Sequence, residues 1–190
     1  AQAGYDSNEV LALSEKTLLA LNTAELDATQ ATEDMVAVMA QWGLMTGTAT
    51  EQAENYGNII DKINKVADNF PTTSEDILDA LKKTSSAFNL AGASIDETIA
   101  TIVAAETASQ RGGKVIGTAL SNIVQQLKAE KKLDLAEELG LNFFKDAKKT
   151  EFRPIMEIFQ EMSTRMQSLK DQGKESSVEM QNLLEMFTVF

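Results

Sequence analysis

The residues with the strongest chemical suggestion lie in TASQRGGKVIGTALSNIVQQL, residues 107–127. Gly112 and Gly113 sit between Arg111 and Lys114, just ahead of a helical pattern. Amides of a glycine turn at a helix start can cradle a phosphate, with a nearby lysine completing the site. That chemistry needs a strand, then GxxxxGK followed by Ser or Thr, then the helix. Here Lys114 follows Gly113 directly, GKVIGT has the wrong order, and the residues ahead have helical spacing. The stretch therefore reads as packing. Val115, Ile116, Ala119, Leu120, Ile123, Val124 and Leu127 form an apolar face, and Gly113, Gly117 and Ser121 fall four apart along its edge. Small residues at that spacing let a second helix approach closely. Arg111, Gly112 and Gly113 then read as the hinge between two antiparallel helices.

A second candidate is QWGLMTGTA, residues 41–49. GLM followed by small polar residues resembles a stretch of the helical lytic transglycosylases, which cut peptidoglycan with one acidic Glu. Those enzymes also need a Glu-Ser pair upstream. None occurs before Gly43, and Glu175-Ser176 lies far downstream at a helix start. The stretch reads instead as a helix ending at Trp42-Gly43, followed by a turn of small residues.

Composition removes most other chemistry. The 190 residues include no Cys and no His. Disulfides, thiolate nucleophiles, zinc-thiolate sites and His-dependent triads are excluded, so catalysis would fall to carboxylates, Lys, Tyr or Ser. No metal or cofactor is implied. The formal net charge of −12, from 17 basic and 29 acidic residues, opposes binding to nucleic acid or anionic lipid. Lys128, Lys131 and Lys132, and then Lys145, Lys148 and Lys149, cluster; they read as a solvated helix end and a charged turn. No apolar run reaches the roughly 18 residues of a membrane span, and no secretory signal is evident. The chain begins with Ala1 and stops in an apolar helix, so it reads as a piece of a longer protein.

The elements that would position these residues are helices. In NYGNIIDKINKVADNF, Tyr56, Ile59, Ile60, Ile63, Val66 and Phe70 share one stripe, and Pro71 ends it. TTSEDILDALKKTSSAFNL repeats the pattern through Ile77, Leu81, Thr84 and Phe88. Ser94 and Glu97 form a capping box ahead of Ile95, Ile99, Ile102 and Val103. DLAEELG is a short helix ending at Gly140, a left-handed cap. RPIMEIFQEMSTRMQSL starts near Pro154 and carries Ile155, Ile158, Phe159, Met162, Met166 and Leu169. SSVEMQNLLEMFTVF opens with a second box, Ser176 and Glu179, and ends in Leu183, Leu184, Phe187, Val189 and Phe190, a helix cut off from its neighbour. Helices around residues 8–22 and 31–42 complete the set.

The expected fold is all-α: about eight short-to-medium amphipathic helices in antiparallel hairpins, with no sheet. Three segments follow from the pattern, 1–72, 73–140 and 141–190, or else one continuous domain. Residues 7–24 echo 74–91 at a constant offset, which suggests a duplicated helix unit. Met156, Met162, Met166, Met180 and Met186 crowd the last part of the chain; thioethers fill irregular cores or let a helix face re-pack on a partner.

Taken in order, these motifs resemble the core region of phage tail tape measure proteins, from about residue 10 to the C-terminus. That family has an amphipathic helix, then an AG-S-E-T pattern opening a second one, a Gly-rich turn, and a GTAL helix. The matching residues are Ala91, Gly92, Ser94, Glu97 and Thr98, then Gly112, Gly113, Gly117, Thr118, Ala119, Leu120 and Leu127, then Leu139 and Gly140 ahead of a loop and a further helix. Two departures stand out. Ile116 occupies a position usually small, and KDAKKTEF lacks the glycine usual in that loop.

The resemblance implies a virion structural protein of a phage or prophage. It would set tail length during assembly, lie inside the tail tube and leave on DNA ejection. Its implied partners are tail tube subunits, tail assembly chaperones, tail-tip proteins and further copies of itself. It implies no catalysis, cofactor or nucleic-acid binding; its implied locations are the tube interior and, during assembly, the host cytoplasm. As a single helix the chain would span roughly 285 Å, but its glycines and prolines forbid that, and a compact form would have a radius of gyration of about 16 Å. The segment is thus expected to be a folded head or end of the ruler that opens to enter the tube. A peptidoglycan-cutting domain and a stand-alone helical adaptor are the alternatives.

Overall fold

The computed structural model describes residues 28–146 and 148–187. The expected helix at 8–22, the first copy of the repeat, and Val189 and Phe190 lie outside the described residues. Eight helices form among the described residues: α1 (Ala28–Gln41), α2 (Ala49–Ala67), α3 (Ser74–Leu90), α4 (Ile95–Ser109), α5 (Gly113–Gln126), α6 (Glu130–Glu138), α7 (Ile155–Asp171) and α8 (Val178–Met186). Among the described residues no strand forms; one isolated antiparallel bridge pairs Phe144 with Phe152. The all-α expectation holds.

The chain forms two compact units. Among the described residues, one holds those up to Ser86 and Thr98–Thr118; the other holds Ala87–Glu97 and those from Ala119 onward. This is a division by contact, whereas the three sequence segments follow motif order.

In the first unit, α1 buries Ala31, Met35, Val38 and Met39 and packs on α2. Gly43 at φ 68° turns the chain after α1, as the sequence suggests. Thr48 and Glu51 make a full capping box at the start of α2. T-x-x-E ahead of an apolar stripe is the sequence signal for it. Tyr56, Ile59, Ile60 and Ile63 are buried as expected, but the stripe ends there: Val66 is half-buried and Phe70 is 50% exposed. The helix stops at Ala67, ahead of Pro71, because the Asn69 and Phe70 amides both turn back to the Val66 carbonyl.

α3 buries Ile77, Leu81, Thr84 and Phe88. The hydroxyls of Thr84 and Ser85, both buried, donate to the Ala80 and Leu81 carbonyls one turn back, at 2.9 and 2.6 Å. α5 runs alongside α3 in the same direction, with Gly113 against Asp76 and Gly117 against Ala80. α4 runs antiparallel to both, since Glu106 near its end meets Thr72 ahead of α3. The expected face of α5 is buried at Ile116, Leu120, Val124 and Leu127, while Val115 is 51% exposed and does not belong to it.

In the second unit, α7 and α8 form an antiparallel hairpin. Arg165 pairs with Glu179 at 2.6 Å, and Phe159 packs on Phe187 at 5.8 Å between ring centroids. α8 also packs on α6. Ile155, Ile158, Met162 and Leu169 are buried, with Phe159 and Met166 half-buried. The second capping box is corrected. Ser177 caps α8 by accepting the Met180 amide at 3.1 Å. The residue three beyond Ser177 is thus a methionine, which cannot reach back, and Glu179 is taken by Arg165. Of the terminal apolar cluster, Leu183 is buried and Leu184 exposed.

The α3–α5 contact yields a prediction. A Cβ on Gly113 would overlap the Asp76 carbonyl and lie 2.7 Å from its Cα. Gly113→Ala falls on the first residue of α5, where helix propensity offsets little, and it forces backbone apart. It should lower stability by about 1–3 kcal/mol in chemical denaturation; a variant as stable as the parent would show that the helices do not touch there.

Candidate functional site

The motif residues fall into three constructions. The first is the turn between α3 and α4. Gly92 takes φ 79°, and a Cβ there would sit 3.6 Å from the Pro154 Cα. The Ala91 carbonyl accepts the Ile155 amide at 2.9 Å. That amide opens α7, and helix starts leave such donors without an internal partner. The Ala-Gly pair therefore seats α7. Ala91, Leu127 and Val124 also meet Phe152, Ile155 and Ile158 around one small apolar void.

Next to it, the Ser94 amide donates to Glu97 Oε2 at 2.7 Å, and the Glu97 amide donates to Ser94 Oγ at 3.2 Å. The Ser94 N–H, and then its hydroxyl, hold the Glu97 carboxylate below the usual range. Thr98 is fully buried one residue on.

The second construction lies in the first unit, where α4 ends and α3 and α5 begin. Thr73 Oγ1 accepts the Asp76 amide at 3.0 Å and donates to Asp76 Oδ2 at 2.9 Å, capping α3. Asp76 Oδ1 accepts the Gly113 amide at 2.8 Å, at the start of α5. Glu106 is only 4% exposed, and its Oε2 accepts the Thr72 hydroxyl. Burial pushes its pKa up, Thr72 opposes this, and the Asp76 charge adds to the rise. The left-handed residue of the α4–α5 turn is Gln110, at φ 54°, and neither expected glycine. Gly112 and Thr118 are exposed and Ala119 is half-buried. The glycines serve close approach: a Cβ on Gly117 would lie 2.7 Å from the Ala80 Cα.

The third construction is the loop after α6. Leu139 is buried, and Gly140 at φ 67° ends the helix. The Gly140 amide bonds the Glu137 carbonyl and the Leu141 amide the Ala136 carbonyl, at 2.9 and 2.8 Å, the paired bonds of a Schellman cap. The Phe144 and Phe152 rings meet at 4.5 Å between centroids, tilted by 53°, and the Lys128 ammonium lies 5.3 Å from the Phe152 centroid. Asp146 accepts the Thr150 and Glu151 amides, both at 2.9 Å. The loop's left-handed position falls to Lys149, at φ 57°. A glycine is usual at such a place, and the loop has none.

The clustered lysines are not simply solvated. Lys132 is 3% exposed and donates to the Glu185 carbonyl. Its burial lowers the ammonium pKa, with Glu185 opposing. Lys131 lies 3.4 Å from Glu185, Lys145 lies 2.6 Å from Glu151, and Lys149 pairs with Glu137. The sequence signal missed here is Lys132 itself, which lies three and four residues from the apolar Leu135 and Ala136.

Two cavities stand out. One of about 290 Å³ lies between α6 and the loop, lined by Leu133, Glu137, Phe143, Lys145 and Lys149 among others. One of about 280 Å³ lies in the first unit, with the buried Asp34 paired to Lys82 and with Glu75, Asp79 and Lys114 on its walls. Lys114 lies 3.5 Å from Asp79. Glu175 and Ser176 sit in the exposed turn ahead of α8. Among the described residues, no three His, Cys, Asp or Glu side chains gather as a metal site, and no helix is long and apolar enough to cross a membrane.

These arrangements position helices against one another by caps, close backbone approach and internal ion pairs, and they define an all-helical structural class. The sequence pattern of the phage-related minor tail proteins matches residues 1–182; the chain belongs to that family. No solved structure matches it.

The Ser94–Glu97 box carries a pH signature. A carboxyl held low when folded adds stability above the usual carboxylate range and loses it as pH falls through the lowered value. Ser94→Ala should lose about 1 kcal/mol at pH 7, and the gap between variant and parent should narrow in denaturation at acid pH. A gap independent of pH would assign the loss to something other than the Glu97 contact.

Proposed function

We propose that this chain is the folded core region of a tape measure protein, which sets tail length during assembly and leaves the tube when DNA is ejected. The observation that carries the reading is the match to phage minor tail proteins over residues 1–182, together with the order of the AG-S-E-T, Gly-Gly and GTAL motifs along the chain. The helices among the described residues are 9 to 19 residues long, so this part is a folded station on the ruler, and long helices elsewhere in the parent supply the length. Passage through a narrow tube requires the bundle to open into extended helices. Tube subunits, assembly chaperones, tip proteins and further copies of the chain are its partners, in the tail interior and, before that, in the host cytoplasm.

In-frame deletions in the helical stretches flanking this segment should shorten tails by about 1.5 Å per residue removed, as measured on electron micrographs. Intact virions whose tails keep their length would sink the ruler reading.

The segment itself acts without catalysis. Its buried acids, Asp34 and Glu106, are engaged with Lys82 and Thr72. Purified peptidoglycan should keep its turbidity when incubated with the chain. Clearing that disappears in Asp34→Asn would make the segment a cell-wall hydrolase.

A further inference from the structure

The meeting point of α3, α4 and α5 holds a carboxylate in an unfavourable place. Glu106 lies in the last turn of α4, where the helix carries partial negative charge. Its side chain is buried. Oε2 takes the Thr72 hydroxyl, and Oε1 is buried without a hydrogen-bond partner among the described residues. The charged group acting on it from a packed element is Asp76 on α3, also an acid. Thr72, from the loop ahead of α3, supplies a hydroxyl and no charge. Arg111, past the end of α4, is exposed.

Three groups at this point tie three helices. Thr72 holds the end of α4, Thr73 caps α3, and Asp76 holds the first amide of α5. The chain between α4 and α5 passes through the left-handed Gln110, a conformation that a non-glycine residue keeps only under restraint. An ionised Glu106 therefore loads the junction at its tightest place. A proton on Oε1 removes the charge and leaves the Thr72 bond intact.

We propose that the Thr72–Asp76–Glu106–Gly113 junction is a proton-controlled latch, closed while Glu106 carries a proton and the first place where α3, α4 and α5 part once it is ionised. The proposal rests on the opening of the bundle inferred above and names the element that permits it. The sign follows from linkage. A carboxyl whose pKa is raised by folding contributes stability that is complete below the usual carboxylate range and is lost as pH rises through the raised value. The latch is therefore weakest above that raised value.

Hydrogen exchange of the 190-residue chain tests this, with rates corrected for the intrinsic pH dependence of exchange. Protection of the α4 and α5 amides in the first unit should fall across that window, by at most about tenfold per pH unit, the slope of one proton. Amides of α7 and α8 should show no such fall. Glu106→Gln cannot ionise and should give high protection with no slope. A slope that survives Glu106→Gln, or a wild type without one, overturns the latch. If the variant does not fold, the ¹³C titration of the Glu106 carboxyl in the wild type decides. A midpoint matching the exchange transition supports the latch, and a midpoint elsewhere overturns it. Exchange reads the isolated chain, so a flat result removes the latch alone; unchanged tail lengths would remove the ruler reading and leave the latch standing.

Discussion

The structure depends on how closely α5 approaches α3. At Gly113 and Gly117 there is no room for a side chain, because the backbone of Asp76 and Ala80 occupies it. Once those two helices lie in contact and in the same direction, α4 must run back antiparallel to both. Its last turn must then meet the loop ahead of α3. The Asp76 carboxylate is set by the same register, since its residue is both the one Gly113 rests on and the acceptor of the Gly113 amide. Steric closeness comes first, and the polar junction is built around it.

Much of this was legible in the sequence. Small residues four apart on the edge of an apolar face signalled close approach, and S-x-x-E at Ser94 and Gly140 after α6 signalled caps that formed as read. Buried stripes on α2, α3 and α7 followed the helical period. What failed did so for local reasons. Phe70 kept the period of α2 but lay past its end, where two amides turned back to one carbonyl. Ser176 and Ser177 are adjacent, and the choice between them depended on Glu179 being drawn to Arg165 across the hairpin. The hinge glycines suggested backbone freedom, yet Gln110 took the left-handed place and the glycines took the crowded one.

The polar interior was harder to read. Lys132 looked like one of a solvated group, and Glu106 like an ordinary acid near a helix end. Their burial is set by elements distant in sequence: α8 for Lys132, and the Thr72 loop for Glu106. A pattern along one helix carries no record of such partners. The same holds for the loop at residues 141–153, whose order comes from the Asp146 turn, the Phe144–Phe152 ring contact and the Lys128 ammonium over Phe152, partners that its run of charges and aromatics does not announce.

The self-contained hydroxyls of α3 have a further consequence. Thr84 and Ser85 are buried, yet both bond to carbonyls of their own helix. Their polarity is spent within one turn, so at this level α3 presents a surface that asks for no partner chemistry. Whatever covers it is selected by volume alone. Neighbouring positions are then free to drift among apolar residues of similar size, and recognition along this part of the helix is a matter of fit rather than of pairing.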